Sequence, residues 1–103
     1  MTNITELYRN DKLIGFRIEG HAGYSIPGRD IVCAAVSAIT INAINSAYRL
    51  SGAEVELSEH DGYTQYIIFE PDTVSAILLK SAKIGYKSIA ERYPDNVTIT
   101  ERR

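Results

Sequence analysis

The chain has 103 residues and a net charge of −2, with 45% apolar and 23% charged residues. This length predicts a single domain, residues 1–103, with one modest core, and the composition excludes a disordered chain. The near-neutral charge offers no basic face for a polyanion, so no direct nucleic-acid partner is expected, and the single cysteine excludes an internal disulfide.

Two strands open the chain. Ile14, Phe16 and Ile18 alternate with polar or small residues, which is the period of a half-buried strand. A preceding strand over 4–8 is joined to it through Asn10–Asp11, and the pair is predicted to be a hairpin. The polar N-terminal residues are typical of a strand and not of a signal peptide.

The first helix is predicted to begin after the N-cap residue Asp30 and to run to about Leu50, ending at Ser51–Gly52. Residues 31–48 carry no charge and approach the length of a membrane span, which is about 20 residues. They include several polar side chains: Ser37, Thr40, Asn42, Asn45 and Ser46. We therefore expect a buried helix in a cytoplasmic protein that has no membrane partner.

The first half of this helix, residues 31–41, is apolar on nearly every side. A helix of this kind needs cover on both faces, and one sheet covers only one of them. A second subunit or the second helix would supply the rest. We predict a homodimer.

Two further strands are predicted over 54–58 and 63–70, joined by the "EHDG" turn, followed by a helix from Asp72 to Tyr93 and a last strand over 97–101. The expected apolar face of this helix is Val74, Ile77, Leu78, Ala82, Tyr86, Ile89 and Ala90. The order β-β-α-β-β-α-β predicts a two-layer α/β (α+β) fold, with both helices on one face of a mostly antiparallel sheet.

The candidate chemistry lies between Gly20 and the first helix. With Asp30 as the cap, Cys33 is the third helical residue, where unpaired backbone N–H groups and the helix dipole favour a thiolate. The same N–H groups would be able to stabilise an oxyanion. His21 lies twelve residues upstream, just after a strand, and a folded connection would bring it to the sulfur as general base.

Other readings of these residues remain open. A free cysteine on an apolar helix is often only a small buried hydrophobe, and a redox role is a further alternative, although the chain has no resolving cysteine. One cysteine and two histidines supply too few ligands for a closed zinc site, so no metal is expected. His60, in "EHDG", is expected to be an exposed turn residue.

The segment "GHAGYSIPGRDIVCAAVSA" resembles the signature of the ribosomal-processing cysteine protease family, Prp. The likeness extends over the whole chain, through "RNDKLIGFRIEGHAG", "DGY" and "GYKSIAERYPDNVTI". The family's catalytic histidine and cysteine fall on His21 and Cys33. The motif holds both residues without a gap, so it is specific.

The resemblance implies a dimeric bacterial endopeptidase without a cofactor. Its substrate would be the precursor of a large-subunit ribosomal protein, from which it removes an N-terminal extension. The cut would lie on the N-terminal side of a small residue that follows aromatic residues. The alternative function is a dimeric, ribosome-associated protein-binding module with an inert cysteine.

Supporting roles are expected for residues around the pair. Asp30 would orient His21, cap the helix, or do both, and Ser37, one turn after Cys33, is matched by the family. Gly20, Gly23, Tyr24 and Gly28 are assigned to a substrate loop between base and nucleophile. We expect this loop to act as a hinged flap that orders on binding.

Overall fold

The computed structural model describes residues 1–26 and 29–103, and its elements follow the predicted order. They are β1 (Thr2–Arg9), β2 (Lys12–Glu19), α1 (Ile31–Leu50), β3 (Glu56–His60), β4 (Tyr63–Ile67), α2 (Thr73–Arg92) and β5 (Val97–Arg102). This confirms the α+β class.

The five strands form one mixed sheet in the order β3-β4-β2-β1-β5. The β1–β2, β2–β4 and β3–β4 pairs are antiparallel, and only β5 runs parallel to its neighbour β1. Thr2 pairs with Val97, so the start of the first strand lies beside the start of the last. This pairing brings the α2–β5 connection close to the residues that follow β2.

Both hairpin turns use residues in the left-handed region. Asn10 and Asp11 have φ of 53° and 62°, a backbone state that short polar side chains tolerate. In the second hairpin only Asp61 and Gly62 form the turn. The assignment of His60 to the turn was wrong, because it is the last residue of β3 and stacks on Tyr63 with ring centroids 4.5 Å apart.

The two helices begin at aspartate caps. Asp30 precedes α1, as predicted, and Asp72 forms a capping box with Ser75. The hydrogen bonds from Ser75 to Asp72 lower the pKa of that carboxyl to about 2.

The predicted apolar face of α2 was partly wrong. The buried residues are Ser75, Leu79, Ala82 and Tyr86. This row follows the helical spacing of 4, 3 and 4 residues. Val74 and Ile77, which the pattern placed in the core, lie outside the row and are exposed.

A buried chain of hydroxyl groups ties the helices to the sheet. Thr40 of α1 and Tyr86 of α2 are joined at 2.6 Å, and Tyr86 and Tyr66 of β4 at 2.9 Å. Phe16 packs edge-on against Tyr86, with ring centroids 4.9 Å apart. Burial raises the pKa of Tyr66 well above its ordinary value, so the phenol stays protonated and remains a hydrogen-bond donor. These contacts fix where α1 lies on the sheet.

Helix α1 is long and apolar enough, by length and composition alone, to cross a membrane. Its core face is formed by Val32, Val36, Thr40, Ala43, Ile44 and Ala47. The opposite face leaves Ile31 56% exposed and Ile41 58% exposed. The second helix therefore does not cover the whole apolar surface of α1.

Candidate active site

Asp30 joins the start of α1 to the loop that precedes it. Its Oδ1 accepts hydrogen bonds from the backbone N–H groups of Val32 and Cys33, both at 3.0 Å. Its Oδ2 accepts the N–H groups of Tyr24 at 3.0 Å and Ser25 at 3.4 Å. One carboxylate thus caps the helix and holds the loop against it.

These contacts set the ionisation of Asp30. Burial alone raises the pKa of the carboxyl, but the N–H donors of Cys33, Tyr24 and Ser25 outweigh burial and lower it below the ordinary value. Asp30 is therefore a carboxylate at neutral pH. Among the described residues it has no hydrogen bond to His21, so its contacts are those of a cap and not of an imidazole-orienting group.

The thiol of Cys33 has a donor that the sequence pattern did not indicate. The backbone N–H of Ala22 lies 3.2 Å from Sγ and points a hydrogen bond at it. Ala22 is 2% exposed, whereas Cys33 is half-buried and open to a cleft. A hydrogen bond from a backbone N–H is stronger to an ionised acceptor than to a neutral one.

The expectation that the first N–H groups of α1 are free for an oxyanion was wrong. Those of Val32 and Cys33 are both bound to Asp30. A helix cap satisfies the very donors that an uncapped helix would offer to a ligand. The donor that faces the sulfur comes instead from the loop, at Ala22.

His21 lies on the loop that follows β2. Gly20, with φ of +85°, turns the chain there, and its N–H binds the carbonyl of Gly62 at 2.9 Å. A Cβ at Gly62 would lie 3.5 Å from His21 Nε2, so the imidazole sits beside the β3–β4 turn. The Met1 ammonium group donates to the His21 carbonyl at 2.6 Å.

His21 and Cys33 line the same cleft, which has a volume of about 180 Å³. The predicted Ser37 and Gly20 line it too, together with Thr2, Ile18, Val36, Gly62, Tyr63 and Thr64. Within residues 1–26 and 29–103 no hydrogen bond joins the imidazole to Sγ. Proton transfer between them would need either a closer approach of the ring or one bridging water.

The structure describes both ends of the predicted substrate loop. Gly23 has φ of +70°, and the Tyr24 ring meets the Tyr93 ring nearly edge-on at 5.4 Å. Gly28, which the sequence assigned to the flap, lies outside the described residues, as does Pro27. The Arg29 N–H binds the Ile26 carbonyl at 3.0 Å.

Two residues of the site were missed by sequence reasoning. Ala22 was missed because only its backbone takes part. Asn96 was missed because it lies 74 positions from Ala22 in the chain. The Asn96 side chain donates to the Ala22 carbonyl at 3.0 Å. The sole signal was that both lie in segments that resemble the protease family. In the described part of the chain, no group of three or more His, Cys, Asp or Glu side chains is placed to hold a metal.

Known proteins of one family resemble this chain over almost its full length. The family model described as "Cysteine protease Prp" matches residues 1–98. The ribosomal processing cysteine protease Prp of Bacillus subtilis is 27% identical over 95 residues, covering 85% of each chain. The enzyme of that name from Staphylococcus aureus is 26% identical over 85 residues, covering 80% of each.

Solved structures share the fold. A complex of S. aureus Prp with a covalently linked product peptide superposes with a TM-score of 0.93 at 21% identity, covering 99% of this chain and 100% of that one. The Streptococcus mutans protein SMU.848 gives a TM-score of 0.79 at 30% identity, covering 98% and 93%. The family match, the full-length coverage and a thiol and imidazole on one cleft agree: this chain belongs to the Prp family of cysteine proteases.

Proposed function

We propose that this cysteine protease removes the N-terminal extension of a large-subunit ribosomal protein precursor, with Cys33 as nucleophile and His21 as general base. The observation that carries the assignment is that both side chains line one cleft while a backbone N–H faces the sulfur. The curated relatives are named ribosomal processing proteases, and S. aureus Prp has been solved with a substrate peptide and with a product peptide.

The chemistry follows that of a thiol–imidazole pair. His21 takes the thiol proton, and the Cys33 thiolate attacks the scissile carbonyl to form a tetrahedral oxyanion. Collapse of this intermediate breaks the C–N bond, and the imidazolium returns its proton to the leaving amine. Water, deprotonated by His21, then hydrolyses the thioester and regenerates the thiol.

The remaining features of the proposal are its setting and assembly. We place the enzyme in the cytoplasm as a homodimer that acts without a cofactor and contacts neither nucleic acid nor membrane. The exposed Ile31 and Ile41 on α1 support the dimer, because large apolar side chains on one helix face favour a protein partner.

The deciding experiment compares wild type with Cys33→Ser and Cys33→Ala on the extended precursor. Wild type is expected to release the extension, seen as one mass loss by mass spectrometry. Both variants should fold and leave the precursor intact, because a serine hydroxyl is far harder to ionise than a thiol and alanine carries no nucleophile.

Ser46→Ala is the matched control, since it removes a hydroxyl group from the same helix at a residue that is not among the described residues lining the cleft. Cleavage by Cys33→Ser at near wild-type rate would remove Cys33 from the mechanism. An intact precursor with wild type, bound but uncut, would favour the alternative of a ribosome-associated binding module.

A further inference from the structure

The connection between α2 and β5 reaches the catalytic loop through Asn96. The side-chain nitrogen Nδ2 of Asn96 lies 3.0 Å from the Ala22 carbonyl oxygen. A carbonyl only accepts hydrogen bonds, so the amide nitrogen of Asn96, and not its oxygen, must face it. No local pattern brings these two residues together.

The backbone N–H and the backbone carbonyl of Asn96 each form a hydrogen bond with another part of the chain. Its N–H donates to the Tyr93 carbonyl at 3.0 Å, at the end of α2, and its carbonyl accepts the N–H of Thr2 at 2.9 Å, at the start of β1. The next residue, Val97, is 2% exposed and begins β5. The residue that carries the side-chain donor is therefore hydrogen-bonded both to the sheet, at β1, and to the end of α2, so its position is rigid.

Ala22 is consequently fixed through both of its peptide groups. Its carbonyl is bound by Asn96, and its N–H is directed at Cys33 Sγ at 3.2 Å. The Ala22 side chain is buried, which leaves the backbone little room to rotate. The carbonyl belongs to the peptide that follows Ala22 and the N–H to the peptide that precedes it, so the two hydrogen bonds together restrict both backbone dihedrals of Ala22.

We propose that Asn96 is a positioning residue of the protease: it holds Ala22 so that the Ala22 N–H stabilises the thiolate of Cys33. Asn96 touches neither the sulfur nor the imidazole and acts only through the loop backbone. The inference rests on the proposed role of Cys33 as nucleophile. The proposed effect of Asn96 is to stabilise the thiolate of Cys33 in the free enzyme, before any substrate binds.

The test is the rate of alkylation of Cys33 by iodoacetamide as a function of pH, which needs no peptide substrate. A charge-assisted hydrogen bond is worth enough to move the midpoint of this profile by about one pH unit. We therefore expect Asn96→Ala to shift the midpoint upward by about one pH unit. Asn96→Asp, which keeps the size but loses the donor, should shift it in the same direction.

Asn3→Ala is the matched control. Asn3 accepts a hydrogen bond from Thr98 across the same β1–β5 pair and is exposed, so its loss perturbs these strands without touching Ala22. Its alkylation profile should match wild type. Folded Asn96 variants with an unchanged midpoint, or an equal shift in Asn3→Ala, would overturn the proposal.

A second measurement uses wild type alone and decides the matter even if neither Asn96 variant folds. In ¹⁵N-labelled protein, the NMR chemical shifts of the Ala22 backbone amide and the Asn96 side-chain amide should change together as the pH is varied. The midpoint of this change should equal the midpoint of the alkylation profile. An Asn96 amide that does not respond would overturn the proposal. Because neither readout uses a peptide, a wild type that fails to cut the precursor would refute the proposed function while leaving this result standing.

Discussion

Oδ1 of Asp30 lies 3.0 Å from the backbone nitrogen of Cys33, so the cap of α1 also fixes the backbone of the thiol residue. The other carboxylate oxygen holds Tyr24 and Ser25 of the preceding loop. The start of α1, the proposed nucleophile and the predicted substrate loop are thus joined through one side chain. Removing that carboxylate should affect stability and loop order together.

Asp30→Asn is expected to lower the free energy of unfolding at neutral pH by about 1 kcal/mol, since the amide presents an NH₂ group where two N–H donors now point. The pKa of Asp30 is lowered in the folded protein, so its stabilisation is full above the ordinary pKa of 3.8 and is lost as pH falls through the lowered value.

Urea unfolding of wild type and Asp30→Asn, at several pH values, checks this dependence. The difference between them should shrink on acidification, while the exposed Asp95→Asn serves as control. A difference that stays constant with pH would show that the charge of Asp30 is not what stabilises the cap.

His21→Ala should reduce kcat by about 10²–10⁴-fold with little change in melting temperature, because the ring is exposed and is the proposed general base. The chain offers a matched control in its second histidine, since His60→Ala removes an exposed ring on β3. Steady-state kinetics on a precursor peptide measures both. A loss of only a few-fold in His21→Ala would make His21 a structural residue.

Light scattering at micromolar concentration should give about twice the 11.4 kDa mass of one chain. Ile41→Lys should reduce this to a monomer, since it places a charge within the exposed apolar face of α1. Ile84→Lys alters an isoleucine on α2 that is more exposed still, and it should leave the mass unchanged. A monomeric wild-type protein would show that the exposed apolar face of α1 is not a dimer interface.

Amide hydrogen exchange tests the flap. Protection of residues 23–26 and 29 should rise when a substrate peptide binds to Cys33→Ala, because closing a loop over the peptide excludes water. The bonds of Tyr24 and Ser25 to Asp30 give these two amides a measurable baseline in the free protein. Protection that is already high in the free protein and does not change on binding would show that the loop is rigid and does not close over the peptide.

The order of strands and helices and the identity of the candidate pair were predictable from the sequence. Asp30 followed by an apolar run marks the start of α1, and Asn10–Asp11 and Asp61–Gly62 mark the two hairpin turns. Each of these signals acts within a few residues of chain, because capping and turn formation are local hydrogen-bonding and backbone preferences. The histidine and cysteine stood out through one gapless motif.

Only the tertiary structure decided which backbone donors are free and which one reaches the sulfur. The N–H groups of Val32 and Cys33 are occupied by Asp30, whereas the Ala22 N–H donates to the sulfur and the Ala22 carbonyl accepts a hydrogen bond from Asn96. It also decided that β5 pairs parallel with β1, which is what carries Asn96 to the loop. Backbone groups carry no sequence signature, and a hydrogen bond across 74 residues depends on sheet pairing that no local periodicity encodes.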